Sequence, residues 1–255
     1  MRPVIGVTCS FAEDSDDPGH AARPRAFVNA AYTDAVFAAG GMPQPVPVPA
    51  EPDIALIDEI LSRYDGLLFT GGADLDPRHY GQQRHAKTKP MHARRGAFEV
   101  DFFRRADAKK IPILSICLGC QITNVARGGC LVQHVDDLPA VAKGKLQHHK
   151  PDGCSAFHPV TVEPDSILAK ITGKTTFEVN SRHHQAVDKS QFGGSLRATA
   201  FAPDGVVEAA EDMEGRFLLA VQWHPEDLID RPEHLALFKA LVDAAEQRRK
   251  RLATI

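Results

Sequence analysis

Two short stretches hold a thiol, an imidazole and a carboxylate at spacings that admit chemistry. In "ILSICLGCQ" (residues 113–121) an apolar run ends at Cys117, and Cys120 follows after Leu118 and Gly119. Such a pair can be a redox couple, half of a metal site, or a nucleophile with a cysteine neighbour. In "VQWHPE" (221–226) His224 and Glu226 stand two apart, so in an extended segment both side chains point the same way. Acyl transfer uses this set: a nucleophile, a base to take its proton, and a group that fixes the base's tautomer and stabilises the imidazolium. "FTGGADLDP" (69–77) adds Gly71 and Gly72 at the end of an apolar run, where backbone N–H groups can face a developing oxyanion.

The other readings of the cysteines predict different surroundings. Cys117, Cys120, Cys130 and His134 can be drawn as a C-x2-C…C-x3-H zinc pattern. Structural zinc sites favour knuckles and loops, whereas Cys117 ends an apolar strand and Cys120 enters the following helix. A redox pair also follows a strand at a helix start, where the dipole lowers a thiol pKa. Thioredoxin-like chains are much shorter, however, and here the sheet is well built before the motif arrives. A lone nucleophile at a sharp strand-to-helix turn needs neither Cys120 nor Cys130. Gly119 beside it allows close approach of backbone and substrate.

The elements that must position these residues alternate in the first half. Strand-like runs are "PVIGVTC" (3–9), "MPQPVPVP" (42–49), "GLLFTGG" (66–72) and "IPILSIC" (111–117). Between them lie helical patterns: 27–41, with apolar spacing at Phe27, Ala31, Val36 and Ala39, "DIALIDEILSRY", and "GAFEVDFFRRADAKK". "LGCQITNVARGG" reads as a helix closed by Gly128 and Gly129. Apolar strands alternating with amphipathic helices predict a parallel sheet covered on both faces. From about residue 140 the chain turns to short strands: "HPVTVEP", "TTFEVNS", "LRATAFAPDG", "VVEAAE" and "FLLAVQWHPE", with a turn at Asp204-Gly205. A last helix starts at Pro232 and is expected to bury Leu235, Phe238, Val242 and Ala245. Its basic tail, Arg248 to Arg251, complements the helix dipole. With no repeat or linker, residues 1–255 read as one domain.

Composition narrows the function classes. The chain has 255 residues, 43% of them hydrophobic, and a net charge of −3, so no basic field recruits nucleic acid or anionic membrane. No apolar run approaches the roughly 20 residues of a membrane span. The N-terminus lacks a signal-peptide core, and five cysteines in a chain of this size do not form a disulfide framework, so a reducing cytoplasm is expected. The acidic loop "AEDSDDPGH" (12–20) is expected to be solvated.

"CLGCQ", the "TGG" turn and "HPE" together resemble the class I glutamine amidotransferases. Within them the chain is similar to the free-standing γ-glutamyl-γ-aminobutyrate hydrolase family. The resemblance extends through "YTDAVFAAGGMPQPVPVP", "YDGLLFTGGADLDPRHYG", "FEVDFFRRADAKKIPILSICLGCQ", "NVARGGCLVQH", "VNSRHHQAV", "APDGVVEAAE" and "AVQWHPE", nearly the whole chain. It implies an open, mostly parallel, flavodoxin-like sheet with helices on both faces and extra antiparallel strands in the second half. It assigns Cys117 as nucleophile, His224 as base and then acid, Glu226 as its orienter, and the N–H groups of Gly72 and Leu118 as oxyanion donors. Cys120 becomes the variable residue of C-x-G-x-Q. Gln121 would hold the glutamyl moiety, and His183 and His184 would border the mouth and contact substrate. No cofactor and no metal are expected. The expected partner is a small γ-glutamyl compound, with no nucleic acid or membrane; a homodimer is open.

The implied reaction is hydrolysis of a γ-glutamyl amide through a thioester, releasing glutamate and an amine. The alternatives are a glutaminase subunit feeding ammonia to a synthetase and a non-catalytic binding protein. The chain departs from the family at Leu118, where many relatives carry Arg, at Arg95-Gly96 in place of Arg-Asp, and at Cys130 and His134. The loops at about 11–26 and 74–95 would read the amine half of the substrate. If that half ends in a carboxylate, Arg23, Arg25, Arg94 and Arg95 are the candidate cations.

Overall fold

The computed structural model describes residues 1–13, 23–144, 146–150 and 153–254. Most of the acidic stretch 12–20, and with it much of the loop 11–26, lies outside the described residues. The strands are β1 (Val4–Thr8), β2 (Ser10–Ala12), β3 (Arg25–Phe27), β4 (Met42–Val46), β5 (Gly66–Phe69), β6 (Ile113–Ile116), β7 (Leu131–Val132), β8 (Ala156–Val162), β9 (Thr176–Ser181), β10 (Ala186–Val187), β11 (Leu196–Phe201), β12 (Val207–Asp212) and β13 (Leu218–Val221). The helices are α1 (Ala30–Ala38), α2 (Ile54–Leu61), α3 (Ala93–Ala108), α4 (Leu118–Ala126), α5 (Pro139–Lys143), α6 (Ile167–Thr172) and α7 (Pro232–Leu252).

Among the described residues a nine-stranded sheet runs in the order β4-β1-β5-β6-β13-β12-β11-β8-β9. The pairings from β4 to β13 are parallel and those from β13 to β9 antiparallel, so the sheet is evenly mixed. Central strands β5, β6 and β13 are buried at every residue, because helices cover both faces. One apolar layer joins Ile57 and Leu61 of α2, Phe98, Phe102 and Phe103 of α3, and Ile122 and Val125 of α4. The opposite layer takes Tyr32, Ala35 and Val36 of α1, Leu168 of α6, and Leu237, Phe238 and Leu241 of α7. Strand β4 (MPQPV) holds the parallel edge, where proline's missing N–H leaves no ladder bond unmade. At the other end β8 alternates buried and exposed, as a strand with one wet face must.

Two helical patterns differ from expectation. α1 starts only at Ala30, where the Asn29 side chain accepts from the Ala31 N–H; Phe27 belongs to β3 and is exposed. Its buried face is Tyr32, Ala35 and Val36, because the Asn29 cap fixes the start and therefore the phase. In α7 the buried face is His234, Leu237, Phe238, Leu241, Val242 and Ala245, while Leu235 is only half-buried. Several apolar residues compete there for one stripe, and packing selects among them.

Candidate active site

Parallel pairing sets the carboxyl ends of β5, β6 and β13 at one edge of the sheet, where open α/β sheets gather their ligands. Gly71, Cys117 and His224 follow these three strands. The Cys117 N–H donates to Val221 O at 2.8 Å, which carries the β6–β13 pairing one residue past the strand. Residues more than a hundred positions apart thereby become neighbours.

Cys117 sits at φ 53°, ψ −106°, one of two non-glycine residues at positive φ among those described. Such a backbone is costly for an L-residue and marks a sharp strand-to-helix turn that lifts the side chain off the sheet. Helix α4 begins at the next residue, and the Gln121 N–H donates back to Cys117 O at 3.2 Å. Gly119 makes this close entry possible: a Cβ there would lie 2.6 Å from Phe69 O. Its lack of a side chain thus serves the packing of α4 on the end of β5, where the sequence suggested approach of a substrate.

His224 Nδ1 lies 2.7 Å from Glu226 Oε1, and both residues are buried. The carboxylate takes the Nδ1 hydrogen, which leaves Nε2 for another partner. Burial opposes a charge on His224, but the neighbouring Cys117 and Glu226 side chains outweigh it and push the imidazole up to about 10. The contact with Glu226 does not come from a simple extended segment, because residues 225–227 form a turn of 3-10 helix opened by Pro225. Gly71 fits between the partners: a Cβ on it would lie 2.9 Å from His224 Cε1, 3.5 Å from Cys117 Cβ and 2.8 Å from Tyr32 Oη. Its N–H donates to Tyr32 Oη at 2.9 Å. Burial, then the Glu226 carboxylate beside it, raises the Tyr32 phenol well above its ordinary value, so it stays a neutral hydroxyl.

Asn180 at the end of β9 holds the His224 backbone from both sides. Its Oδ1 accepts from the His224 N–H at 2.9 Å, and its Nδ2 donates to His224 O at 2.9 Å. Neither Tyr32 nor Asn180 stood out in the sequence. Tyr32 lies in "AAYTDA" and Asn180 in "FEVNSR", and neither stretch carries a motif that marks its polar tip. Arg182 was also missed; it pairs with Asp227 at 2.6 Å and reaches within 4.0 Å of Glu226.

The remaining candidates separate. Gly72 is exposed beside Leu118, whose N–H opens α4, and a Cβ on Gly72 would lie 2.9 Å from the Leu118 side chain. Gln121 is buried and donates Nε2 to Gln185 O at 3.2 Å and Gln222 Oε1 at 3.4 Å. His184 is partly exposed, with Nε2 3.0 Å from Asp74, two residues beyond Gly72. His183 corrects the expectation of a residue at the mouth: it is 3% exposed, with Nδ1 3.0 Å from Gln185 O and Nε2 3.4 Å from Glu208 Oε1. Both nitrogens are directed at protein atoms, which leaves neither for a substrate.

Two of the candidate cations are also committed elsewhere. Arg95 is 2% exposed and contacts Glu99, Ser10, Thr70 and Gly71 O, so it fastens the "TGG" turn from beneath. Arg94 donates to the carbonyls of Val48 and Pro49 and lies 4.5 Å over the Phe11 ring. Arg25 lies 5.6 Å over the Phe27 ring, and Arg23 is exposed. Cys120 is fully enclosed, and burial pushes its thiol far up, which suits a packing residue and not a redox partner. Cys117, Cys120, Cys130 and His134 do not gather; among the described residues the group that could hold a metal is His148, His158 and Glu208. That cluster was not anticipated, because its members come from widely separated segments.

A thiol, an imidazole and a carboxylate placed in series can carry out acyl transfer. The mixed sheet with helices on both faces is that of the class I glutamine amidotransferases: the glutaminase domain of Trypanosoma brucei CTPS superposes with a TM-score of 0.63 at 17% identity, over 96% of this chain and 94% of that one. The chain belongs to the peptidase C26 family, whose model matches residues 3–226. Among relatives, "Putative glutamine amidotransferase Rv2859c" of Mycobacterium tuberculosis is 38% identical over 96% of this chain and 75% of its own length. The gamma-glutamyl-gamma-aminobutyrate hydrolase PuuD of Escherichia coli is 31% identical over 88% of this chain and 86% of its own length. Among the described residues no helix is long and apolar enough to cross a membrane.

Proposed function

We propose that the protein hydrolyses the γ-amide bond of a small γ-glutamyl compound, such as γ-glutamyl-γ-aminobutyrate, to glutamate and an amine. The observation that carries this reading is Cys117 at a strained turn, meeting over Gly71 an imidazole whose other nitrogen is 2.7 Å from Glu226. Kinship with a hydrolase of that substrate supports the choice of bond. In this mechanism the Cys117 sulfur attacks the γ-carbonyl, and the N–H groups of Gly72 and Leu118 hold the oxyanion. His224 gives its proton to the departing amine, leaving a γ-glutamyl thioester on Cys117. Water, deprotonated by His224, then discharges the thioester and releases glutamate. Glu226 stabilises the imidazolium in both halves. His184 borders the substrate beyond Gly72, while Gln121 acts through the Gln185 loop that it holds.

The test is glutamate release by the isolated protein from glutamine and from a panel of γ-glutamyl amines. The expected result is a higher kcat/KM for an amide bearing a second carboxylate than for glutamine. A protein inert alone on every amide, but active on glutamine once a synthetase partner is added, would instead be a glutaminase subunit.

A further inference from the structure

Beneath the β9 end that carries Asn180, three imidazoles converge on one carboxylate oxygen. His148 Nδ1, His158 Nε2 and His183 Nε2 each lie 3.4 Å from Glu208 Oε1. The four residues are between 0% and 3% exposed. Among the described residues, none of these three nitrogens and neither Glu208 oxygen has a well-formed hydrogen-bond partner. A well-formed charged N–H···O bond closes to about 2.7–2.9 Å, and these 3.4 Å contacts are longer. Theirs is, however, the separation of two ligand atoms on a tetrahedral zinc: bonds of about 2.0–2.2 Å set them about 3.3–3.5 Å apart.

The far sides of the rings give a second, independent observation. His158 Nδ1 lies 3.1 Å from Pro159 O and His183 Nδ1 lies 3.0 Å from Gln185 O. A carbonyl oxygen only accepts, so both Nδ1 atoms carry the hydrogen. In the neutral ring that leaves an Nε2 lone pair facing the Glu208 carboxylate, twice over. His148 turns its Nε2 to Asp204 Oδ2 at 2.9 Å and its Nδ1 to the same Glu208 oxygen. Lone pairs aimed at an anion repel unless a cation lies between them. Several imidazolium ions packed into a dry core would repel one another, whereas one divalent ion serves all the donors. Ligating histidines commonly give their other nitrogen to a carbonyl or carboxylate, and all three do so here.

We propose that His148, His158, His183 and Glu208 form a closed structural site for a divalent transition metal of the zinc type. Imidazole and carboxylate without thiolate or open water suit such an ion, and neutral histidines are its usual partners. The donor atoms of His148, His158 and Glu208 already lie within 4.8 Å of one another. His183 faces the same oxygen at 3.4 Å but lies outside that 4.8 Å group, so it would join the set by shifting toward the other donors. The ion would join β8, β12, the segment after β9, and the loop bearing His148. That loop also accepts, at His148 O, from the His183 N–H and the Ser181 hydroxyl. The site uses neither Cys117 nor His224 and needs no chemistry there.

The experiment is metal analysis of the full chain produced in zinc-supplemented medium and dialysed, together with refolding from denaturant in either zinc chloride or chelator. The expected result is one zinc per chain in the wild type and in Cys117→Ala, and almost none in Glu208→Gln or His158→Ala. Affinity should fall by more than the roughly 10–100-fold that changes behind a ligand produce. Refolding in zinc should raise the melting temperature over refolding in chelator, a comparison that stands even if the variants fail to fold. Cobalt in place of zinc should give the visible bands of a tetrahedral ion without sulfur-to-metal charge transfer. Folded wild type that holds no stoichiometric metal after both treatments and melts identically with and without zinc would overturn the site. Metal retained in Glu208→Gln and His158→Ala but lost from Cys117→Ala would overturn it equally.

Discussion

Asn180 tests whether a residue that touches no reacting atom sets the position of the candidate base. Its amide pairs with both the N–H and the C=O of His224, in the manner of one rung of a β-ladder. Asn180→Ala leaves two buried backbone groups unpaired, each costing about 1–3 kcal/mol, so a destabilisation of roughly 2–4 kcal/mol follows after partial relaxation. For a chain of this size each kcal/mol moves Tm by about 2–4 °C, which predicts a fall on the order of 5–15 °C. The imidazole also loses the anchor that keeps it over Gly71. A displacement of about 1 Å at a catalytic group can cost about 100-fold in rate, and kcat should drop toward that figure. KM should change little, because Asn180 positions the base and not the substrate. Calorimetry supplies the first measurement and glutamate release under saturating substrate the second. Asn180→Asp retains the acceptor half and should recover part of the stability. A kcat within twofold of wild type and an unchanged Tm in Asn180→Ala would refute the reasoning.

Cys117→Ala should abolish turnover and Cys120→Ala should leave most of it, since only Cys117 meets His224; comparable losses in both would return the pair to a shared role. Glu226→Gln should lower kcat without unfolding the chain. The stability that His224 gains from its partners is complete below its ordinary value near 6.5 and is lost as pH rises toward its folded value of about 10. Urea unfolding from pH 6 to 10 should therefore show the gap between wild type and Glu226→Gln narrowing as pH rises, and a widening gap would reverse the assignment. Arg95→Met should destabilise by about 3–5 kcal/mol, because it leaves Glu99 buried without its cation and the Thr70 and Gly71 carbonyls without a donor. It should depress activity alike on charged and uncharged γ-glutamyl amides; a loss confined to the carboxylate-bearing substrate would make Arg95 a recognition residue after all.

The sequence by itself determined the strands and their helices where apolar period and punctuation agreed. "GLLF", "ILSI" and "LLAV" could only be strands buried on both faces, and proline-rich "MPQPV" could only be extended. The family resemblance separated Cys117 from Cys120, and the two-residue spacing put His224 near Glu226, though through a 3-10 turn and not the extended segment expected. What only the tertiary structure decided was every relation across the sheet. The insertion of β13 between β6 and β12 brings Val221 to Cys117, and no local pattern encodes that placement, because pairing order follows from how the whole apolar surface is covered. For the same reason Arg95 looked like a free cation and His183 like a substrate contact. A charged or polar side chain reads as exposed until its buried partners are known, and those partners, Glu99 and Glu208, become neighbours only through packing. The His148, His158, His183 and Glu208 cluster is the strongest instance: four residues with no common motif converge because the loop before β8, the strands β8 and β12, and the segment after β9 close on one point.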